Sequence, residues 1–172
     1  MGLKVGTVKI ETYNPKWKDM FNEEKENLKS IFNNLAINIE HIGSTSVEGL
    51  SSKPIIDIAV TLNKLDDFDK VKEYFEKEPY SVKEDCVSDE ILIRKGSEDN
   101  RTHFIHVMEK TSPRYKNTIL FRDYLRNNKE VLEEYEELKK ELAEKYADDR
   151  KMYTASKNDF IQKVLKKAQE EN

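Results

Sequence analysis

The chain of 172 residues has few cysteines, glycines and prolines and lacks any long apolar run. A single cysteine, Cys86, excludes an internal disulfide, and the N-terminus has no apolar stretch, so we expect a reducing, cytoplasmic setting. No segment approaches the ~20 consecutive apolar residues that span a bilayer, and residues 1–6 lack the hydroxyl residue of a myristoylation signal. With only five glycines and four prolines, no linker divides the chain, which predicts a single domain over 1–172.

The charge balance narrows the range of partners. Lysine and arginine number 30 against 34 aspartate and glutamate residues, which gives a formal net charge of −4. This mild acidity does not suggest nucleic-acid binding, and no basic patch interleaved with aromatic residues is present. The Glu/Lys-rich stretch over 130–151 keeps an apolar stripe at helical period, which is typical of a solvated helix face. We therefore expect neither a nucleic-acid partner nor membrane attachment.

The apolar periodicity predicts one helix, a strand-rich middle and a helical C-terminal part. Asn14 and Pro15 precede a helical pattern that runs to Leu35. Strands are predicted over 36–42, 55–62, 91–94 and 102–108, the last two as an antiparallel pair, and a helix over 65–77 ends before Pro79. Further helices are predicted over 119–128, 131–146 and 152–168. This order predicts an α+β fold, with a helix plus β-sheet core over 1–110 and a helical tail over 111–172 packed on it.

A Gly-Ser turn and one acidic residue lie on two neighbouring predicted strands. The turn Gly43-Ser44-Thr45 offers backbone amides and a hydroxyl where a helix would begin, which suits phosphate binding. Asp57 lies in an apolar strand, where a carboxylate needs a hydrogen bond, an ion pair or a metal ion. An ion pair with Lys53 or Arg94, beside an ordinary helix cap, accounts for these residues without a ligand. Their combination favours a site for a triphosphate and its metal ion, with Lys53 adding positive charge.

All three histidines of the chain lie in this strand-rich middle. His41 precedes the Gly-Ser turn, and His103 and His106 lie on the last predicted strand. In a regular strand His103 and His106 point to opposite faces, so at most one of them joins Asp57 unless a bulge intervenes. His106 is the favoured one because it lies between two apolar residues. A hydrogen-bonded core histidine is the alternative interpretation for each.

Several segments of the sequence resemble the GrpB family, whose members have the nucleotidyltransferase fold. The resemblance covers almost the whole chain. It rests on the segments Tyr13-Asn14-Pro15-Lys16-Trp17, His41-Ile42-Gly43-Ser44-Thr45-Ser46-Val47, Lys53-Pro54-Ile55-Ile56-Asp57-Ile58, His103-Phe104-Ile105-His106-Val107, Phe121-Arg122-Asp123-Tyr124-Leu125-Arg126 and Tyr153-Thr154-Ala155-Ser156-Lys157.

The resemblance implies a nucleoside triphosphate as substrate and a divalent metal ion. Nucleotidyltransferases of this fold have a Gly-Ser turn, a paired acidic motif on the next strand and a third acidic residue on a later strand. Asp57 matches the first acid, but Ala59 stands at the second and His106 at the third. One metal ion rather than two is therefore expected. Imidazole ligands, His106 and His41, would favour zinc or manganese over magnesium.

The resemblance predicts an enzyme that transfers a nucleotidyl group to an unidentified small-molecule or protein acceptor. Asp57, His106 and His103 are the candidate catalytic residues, and a base is expected from His41 or His103. The candidates for binding phosphate are the turn with Lys53, Arg94, Arg122 and Lys157. Arg122 and Lys157 are equally well explained as an ion pair and as a solvated lysine. Arg94 and Arg101 flank the predicted cleft, although such arginines are more often simply exposed.

The alternative hypothesis is a non-catalytic module that binds a nucleotide or another anion and docks a partner through its helical tail. Ala59 is the residue that favours it, because an active two-metal site needs the missing acid. In either case the expected ligand is a nucleotide or another phosphorylated small molecule.

Overall fold

The structure is a computed structural model, and it describes residues 2–83 and 89–171; Cys86 lies outside these ranges. The described elements, in chain order, are α1 (Lys16–Phe32), β1 (Asn38–Ile42), β2 (Ile56–Leu62), β3 (Tyr80–Val82), β4 (Glu90–Gly96), β5 (Arg101–Glu109), α2 (Pro113–Asn127), α3 (Lys129–Lys145), α4 (Arg150–Ser156) and α5 (Asn158–Glu170). The strands form one mixed sheet in the order β1-β2-β5-β4-β3. Among the strands that the structure describes, only β2 and β5 pair in parallel. The predicted α+β fold is confirmed.

One face of the sheet, which we call the α1 face, carries the main apolar core. Pro15 precedes α1, and Trp17, Leu28 and Phe32 on its inner side are fully buried. They pack against alternate residues of β2, among them Ile58 and Val60, because successive strand side chains point to opposite faces. The core thus fixes β2 from one side and leaves its other side chains directed away from α1.

The opposite face, which we call the tail face, is covered by the helices that follow β5. On this face, the pairing of β2 with β5 places Asp57 beside Phe104 and Ala59 beside His106. Tyr115 and Ile119 of α2 pack against Ala59 at this face. Helix α2 begins where Ser112 caps it and Pro113 takes its first position. Asp57 of β2 and His106 of β5 therefore lie between the sheet and the helical tail.

The prediction of a helix over 65–77 is wrong in detail. This segment forms two 3₁₀ turns, Leu65–Lys70 and Lys72–Tyr74. They are separated at Val71, whose φ of −125° is not helical. Phe68 and Val71 are both buried, and a spacing of three residues places them on one side of a 3₁₀ turn. Tyr74, which helical spacing would place on the same side as Phe68 and Val71, is instead 47% exposed.

Other elements also differ from the predicted ones. The short strand β3 follows Pro79 directly and was not expected, because three residues carry too little alternation to be recognised. The helix predicted over 152–168 is divided into α4 and α5 around Lys157. None of the helices within 2–83 and 89–171 combines the length and the apolar character needed to cross a bilayer. The division into a core over 1–110 and a tail over 111–172 stays a prediction.

Candidate functional site

A cavity of about 550 Å³, which we call the cleft, lies between the tail face of the sheet and the helical tail. Its floor includes the Gly43-Ser44 turn, Asp57 and Phe104. Its walls come from α2, α3, α4 and α5 and include the side chains of Arg114, Phe121, Leu125, Tyr135, Lys139, Arg150, Tyr153, Lys157 and Leu165. Sheet and tail therefore both contribute to one concave surface.

The turn after β1 depends on a glycine that no other residue can replace without strain. Gly43 has a φ of 71°, and a Cβ atom there would lie 2.7 Å from Oδ2 of Asp57. The turn is fixed from behind, since the Ser46 hydroxyl donates to the Gly43 carbonyl at 2.6 Å and Arg126 Nη2 donates to the Ser46 carbonyl at 2.7 Å. Ser44 faces the cleft, whereas Thr45 is buried on the other side of the turn.

Asp57, His106 and Glu90 form a hydrogen-bonded chain on the tail face. His106 Nε2 lies 3.2 Å from Oδ1 of Asp57, and His106 Nδ1 lies 2.5 Å from Oε1 of Glu90. Burial disfavours a charged imidazole, but the hydrogen bonds to the two carboxylates outweigh it and raise the pKa of His106 to about 9. Near neutral pH the ring is therefore an imidazolium that donates through both nitrogens. The Asp57 side chain remains 32% exposed and accessible from the cleft.

The other two histidines lie on the α1 face. His41 stacks on Phe21 with ring centroids 4.7 Å apart, and its Nε2 lies 2.9 Å from the Thr45 hydroxyl. Burial is the main reason why the pKa of His41 falls to about 4. His103 is also buried, and burial keeps its pKa below the ordinary value. The structure thus brings His106 to Asp57 and separates His41 and His103 from it.

Four cations surround the part of the cleft beside Asp57. Lys53 and Lys157 approach the Tyr153 ring from 5.6 and 4.5 Å, and Arg150 lies 5.3 Å from the Phe104 ring. The fourth cation, Lys139, is 2% exposed and donates a short hydrogen bond to the Ser51 carbonyl.

The lysines of this group are harder to protonate than lysines in water. Burial, aided by the charges of Arg150 and Lys157, lowers the pKa of Lys53 to about 7. Burial also lowers the pKa of Lys157 to about 8, with Arg150 adding to the shift. The pKa of Lys139 is lowered well below its ordinary value, again mainly by burial. The three lysines therefore lie in a poorly solvated place that disfavours their charged form.

The two arginines predicted to bind phosphate have different positions. Arg122 lines the cleft but is buried, and it donates to Glu40 at 2.8 Å, to Asp123 at 2.8 Å and to the His41 carbonyl at 3.0 Å. These contacts join α2 to β1. Arg94 lies on β4 beside Phe104, outside the lining of the cleft.

Comparison with known proteins identifies the family. Residues 7–167 match the GrpB protein family. The chain belongs to the GrpB family. It is 37% identical over 155 residues to UPF0157 protein YqkA of Bacillus subtilis, covering 90% of this chain but 45% of that protein. It is 36% identical over 170 residues to glutamate-rich protein GrpB of Alkalihalophilus pseudofirmus, covering 96% of this chain and 98% of that protein.

A solved GrpB structure has the same fold. The crystal structure of conserved protein GrpB from Enterococcus faecalis matches with a TM-score of 0.87 and 34% identity, over 95% of this chain and 98% of that chain. The GrpB family belongs to the nucleotidyltransferase-fold superfamily.

The acidic motif expected of that superfamily is altered in this GrpB chain. Both nitrogens of His106 are directed at carboxylates, and Ala59 beside it offers no ligand. Within 2–83 and 89–171, no three His, Cys, Asp or Glu side chains are grouped so that they could hold a metal ion. The described residues therefore do not fit a resident metal pair, and a cation at Asp57 would depend on oxygen atoms of a ligand for its other contacts.

Three residues of the GrpB site were missed in the sequence. Glu90 precedes the strand predicted over 91–94, and only the register of β4 against β5 brings it near His106. Lys139 lies four residues after the buried Tyr135 and three before the buried Leu142, on the apolar stripe of α3. A lysine at this position was the feature of the sequence that could have indicated a buried charge. Arg150 opens α4, and nothing local distinguishes it from neighbouring charges.

Proposed function

We propose that this GrpB chain binds a phosphorylated small molecule in the cleft. The observation that carries the proposal is the group Lys53, Lys139, Arg150 and Lys157, which lines one cavity of a protein whose net charge is −4. Asp57, the one carboxylate among the described residues that line the cleft, is already paired with the His106 imidazolium. An anion with several negative charges would complement this group.

The cations lack the partners that buried charges normally have. Within the described residues, the side chains of Lys53, Arg150 and Lys157 make no hydrogen bond or ion pair, and their ring contacts do not neutralise charge. Unpaired charges in a poorly solvated place reduce stability, so they are retained where a ligand uses them. Phosphate oxygens accept such charge-assisted hydrogen bonds.

A nucleoside triphosphate is the first ligand to test. The volume of about 550 Å³ lies in the range of small-molecule sites. The lining also includes the apolar side chains of Phe121, Leu125 and Leu165, which would accommodate a base. Gly43 and Ser44 line the cleft, so the backbone of this turn and the Ser44 hydroxyl are available to a phosphate.

Thermal denaturation and calorimetry test this proposal. The four nucleoside triphosphates and pyrophosphate are added in turn, each with chelator, magnesium, manganese or zinc. We expect at least one to raise the midpoint in chelator. Lys157→Ala should lower the affinity for that ligand about 10- to 100-fold, since one charge-assisted contact is lost. Lys163→Ala, an exposed lysine of α5, is the matched control. No shift with any anion, or equal losses in both variants, would contradict the proposal.

The pH dependence provides a second test. Because the pKa of Lys53 is about 7 and that of Lys157 is about 8, both lose their charge as pH rises toward 9. We expect weaker binding at pH 9 than at pH 7, together with proton uptake on binding at pH 8. Calorimetry in two buffers of different ionisation enthalpy measures that uptake. An affinity that stays the same between pH 7 and pH 9 would show that Lys53 and Lys157 do not bind the ligand.

Nucleotidyl transfer is the second candidate function, and the position of Asp57 favours it. Its carboxylate faces the cleft directly beside the Gly43-Ser44 turn, where phosphates would lie. An enzyme should consume nucleotide in the presence of a divalent ion and lose that activity in Asp57→Asn. A binding protein should bind nucleotide in chelator, consume none and keep its affinity in Asp57→Asn. Product analysis by chromatography separates the two.

A further inference from the structure

A β-bulge turns an additional arginine onto the tail face beyond Phe104. Lys95 is opposite His103, but the next residue of β4, Gly96, is opposite Arg101, so β5 contains one extra residue at Thr102. In a regular strand Arg101 and Phe104 would point to opposite faces. Because the extra residue shifts the alternation by one position, the Arg101 side chain lies on the same face as Phe104.

Three arginines meet at this place. Arg94 is opposite Phe104 on the neighbouring strand, and Arg150 of α4 lies over the Phe104 ring at 5.3 Å. Arg101 is close enough to both that their positive charges, after burial, help to lower its pKa. The acid whose charge acts on Arg101 is Glu98, which forms no ion pair with it among the described residues.

The guanidinium groups of this cluster have buried N–H donors without acceptors. Arg101 is only 3% exposed, yet its Nε and Nη1 have no hydrogen-bond partner, and neither has the buried Nε of Arg94. Within residues 2–83 and 89–171, none of the three side chains forms an ion pair or hydrogen bond. A buried guanidinium normally has both, because desolvating its charge is costly.

We propose that Arg94, Arg101 and Arg150 form a second anion site, separated from the lysines of the cleft by Phe104, for a phosphate-type oxyanion. Donors on two strands and one helix approach from different directions, which matches a tetrahedral anion better than a flat carboxylate. Arg94 and Arg150 are half-buried, so an anion can reach them from solvent and contact Arg101 beneath.

The two sites share one wall. Arg150 lines the cleft through its position over Phe104, and Phe104 forms part of the cleft floor. An anion bound at the arginines would therefore lie next to a ligand bound at Lys53 and Lys157. This arrangement fits a ligand with two separated anionic groups, or two ligands side by side.

Titration of inorganic phosphate, followed by the arginine Nε–H signals in nitrogen-15 NMR, tests the arginine site. The signals of Arg94 and Arg101, assigned with Arg94→Gln and Arg101→Gln, should move together and saturate at one phosphate concentration. Each of these variants should weaken this binding about tenfold or more. Lys151→Gln, an exposed neighbour of Arg150, is the matched control and should behave as wild type.

The outcomes separate this inference from the proposed function. If both signals saturate in wild type and also in Lys157→Ala, the arginine site is supported whatever the nucleotide experiments show. If the signals stay fixed, or shift without saturating, the arginine site is overturned while the lysine cleft stays open to test. Loss of the shifts in Lys157→Ala also overturns it, because the phosphate then binds at the lysines. Arg94→Gln, at a half-buried position, keeps the test valid if Arg101→Gln fails to fold.

Discussion

Among the described residues, Glu24 on the α1 face has a charge partner, whereas Lys53 and Lys157 on the tail face form no ion pair. On the α1 face, Glu24 is 1% exposed, and its carboxylate accepts hydrogen bonds from Lys95 and from Tyr80. Burial opposes its charge, but these partners hold the pKa of Glu24 below its ordinary value. On the tail face, Lys53 and Lys157 each lie beside the Tyr153 ring.

Under the proposed function, this difference separates a surface that stabilises the fold from one that binds a ligand. A paired buried charge contributes to folding, and removing one partner is costly. An unpaired one opposes folding, so removing it costs nothing until a ligand is present. The following four predictions compare the two faces on this basis, in order of expected effect.

The largest effect is expected from the aromatic cluster of the α1 face. Phe32 is fully buried, with ring centroids 5.5 Å from Phe75 and 6.4 Å from Phe68. Phe32→Ala should reduce the free energy of unfolding by about 3–5 kcal/mol, because a cavity forms in a close-packed core. Urea denaturation measures this. Tyr74→Ala, at an exposed position nearby, should change it by less than about 0.5 kcal/mol. Equal losses of stability in Phe32→Ala and Tyr74→Ala would contradict the placement of Phe32 in the core.

The second prediction removes the paired charge of the α1 face. Glu24→Gln should cost about 2–4 kcal/mol, because Lys95 is left without its buried counter-ion. Glu26→Gln on the same helix removes an exposed partner of Lys29 and should cost less than about 1 kcal/mol. Denaturation of both variants in one buffer makes the comparison. A cost for Glu24→Gln no larger than that of its control would show that the pairing does not stabilise the fold.

The third prediction concerns the paired histidine of the tail face. The pKa of His106 is raised to about 9 in the folded state, so its charge stabilises the fold fully below pH 6.5. This contribution is lost as pH rises through 9. His106→Gln should therefore destabilise by about 1–3 kcal/mol at pH 6, and the difference should shrink by pH 10. Denaturation of both proteins across this range tests it, and a difference that grows with pH would refute it.

The smallest effect is expected from the unpaired lysine. Lys157→Met should leave the ligand-free stability unchanged or raise it by about 1 kcal/mol, since an unpaired charge is replaced by an apolar chain. The pKa of Lys157 is lowered to about 8, so the unfolded chain binds the extra proton between pH 8 and pH 10.5, and wild-type stability rises over that window. The advantage of Lys157→Met should thus be largest below pH 8. Lys163→Met is the control, and a clear loss of stability in Lys157→Met alone would contradict an unpaired lysine.

Much of the fold could be predicted because its signals are local. Alternation over β2 placed Ile58 and Asp57 on opposite faces, as the structure has them. The same rule separated His103 from His106, and the one bulge of β5 lies before His103, so it does not disturb that prediction. The 3₁₀ turns around Val71 were missed, since apolar residues at spacings of three and four also predict an α-helix.

The candidate site could be predicted only where it depends on neighbouring strands. Gly43 and Asp57 lie on adjacent strands, so their meeting followed from one strand pairing. Glu90 reaches His106 through a register that no local pattern reveals. Lys139 and Arg150 reach the cleft through the packing of the helical tail, which depends on contacts distant in sequence.

The cleft takes its floor from residues before 110 and its walls from α2 to α5. On the ribosome, the nascent chain presents the Gly-Ser turn and the Asp57 strand long before Lys139, Arg150 and Lys157 have been synthesised. A chain released early would carry the exposed polar face of the sheet and none of these three cations. Binding of the proposed ligand would therefore report that the last helices have been made and have docked.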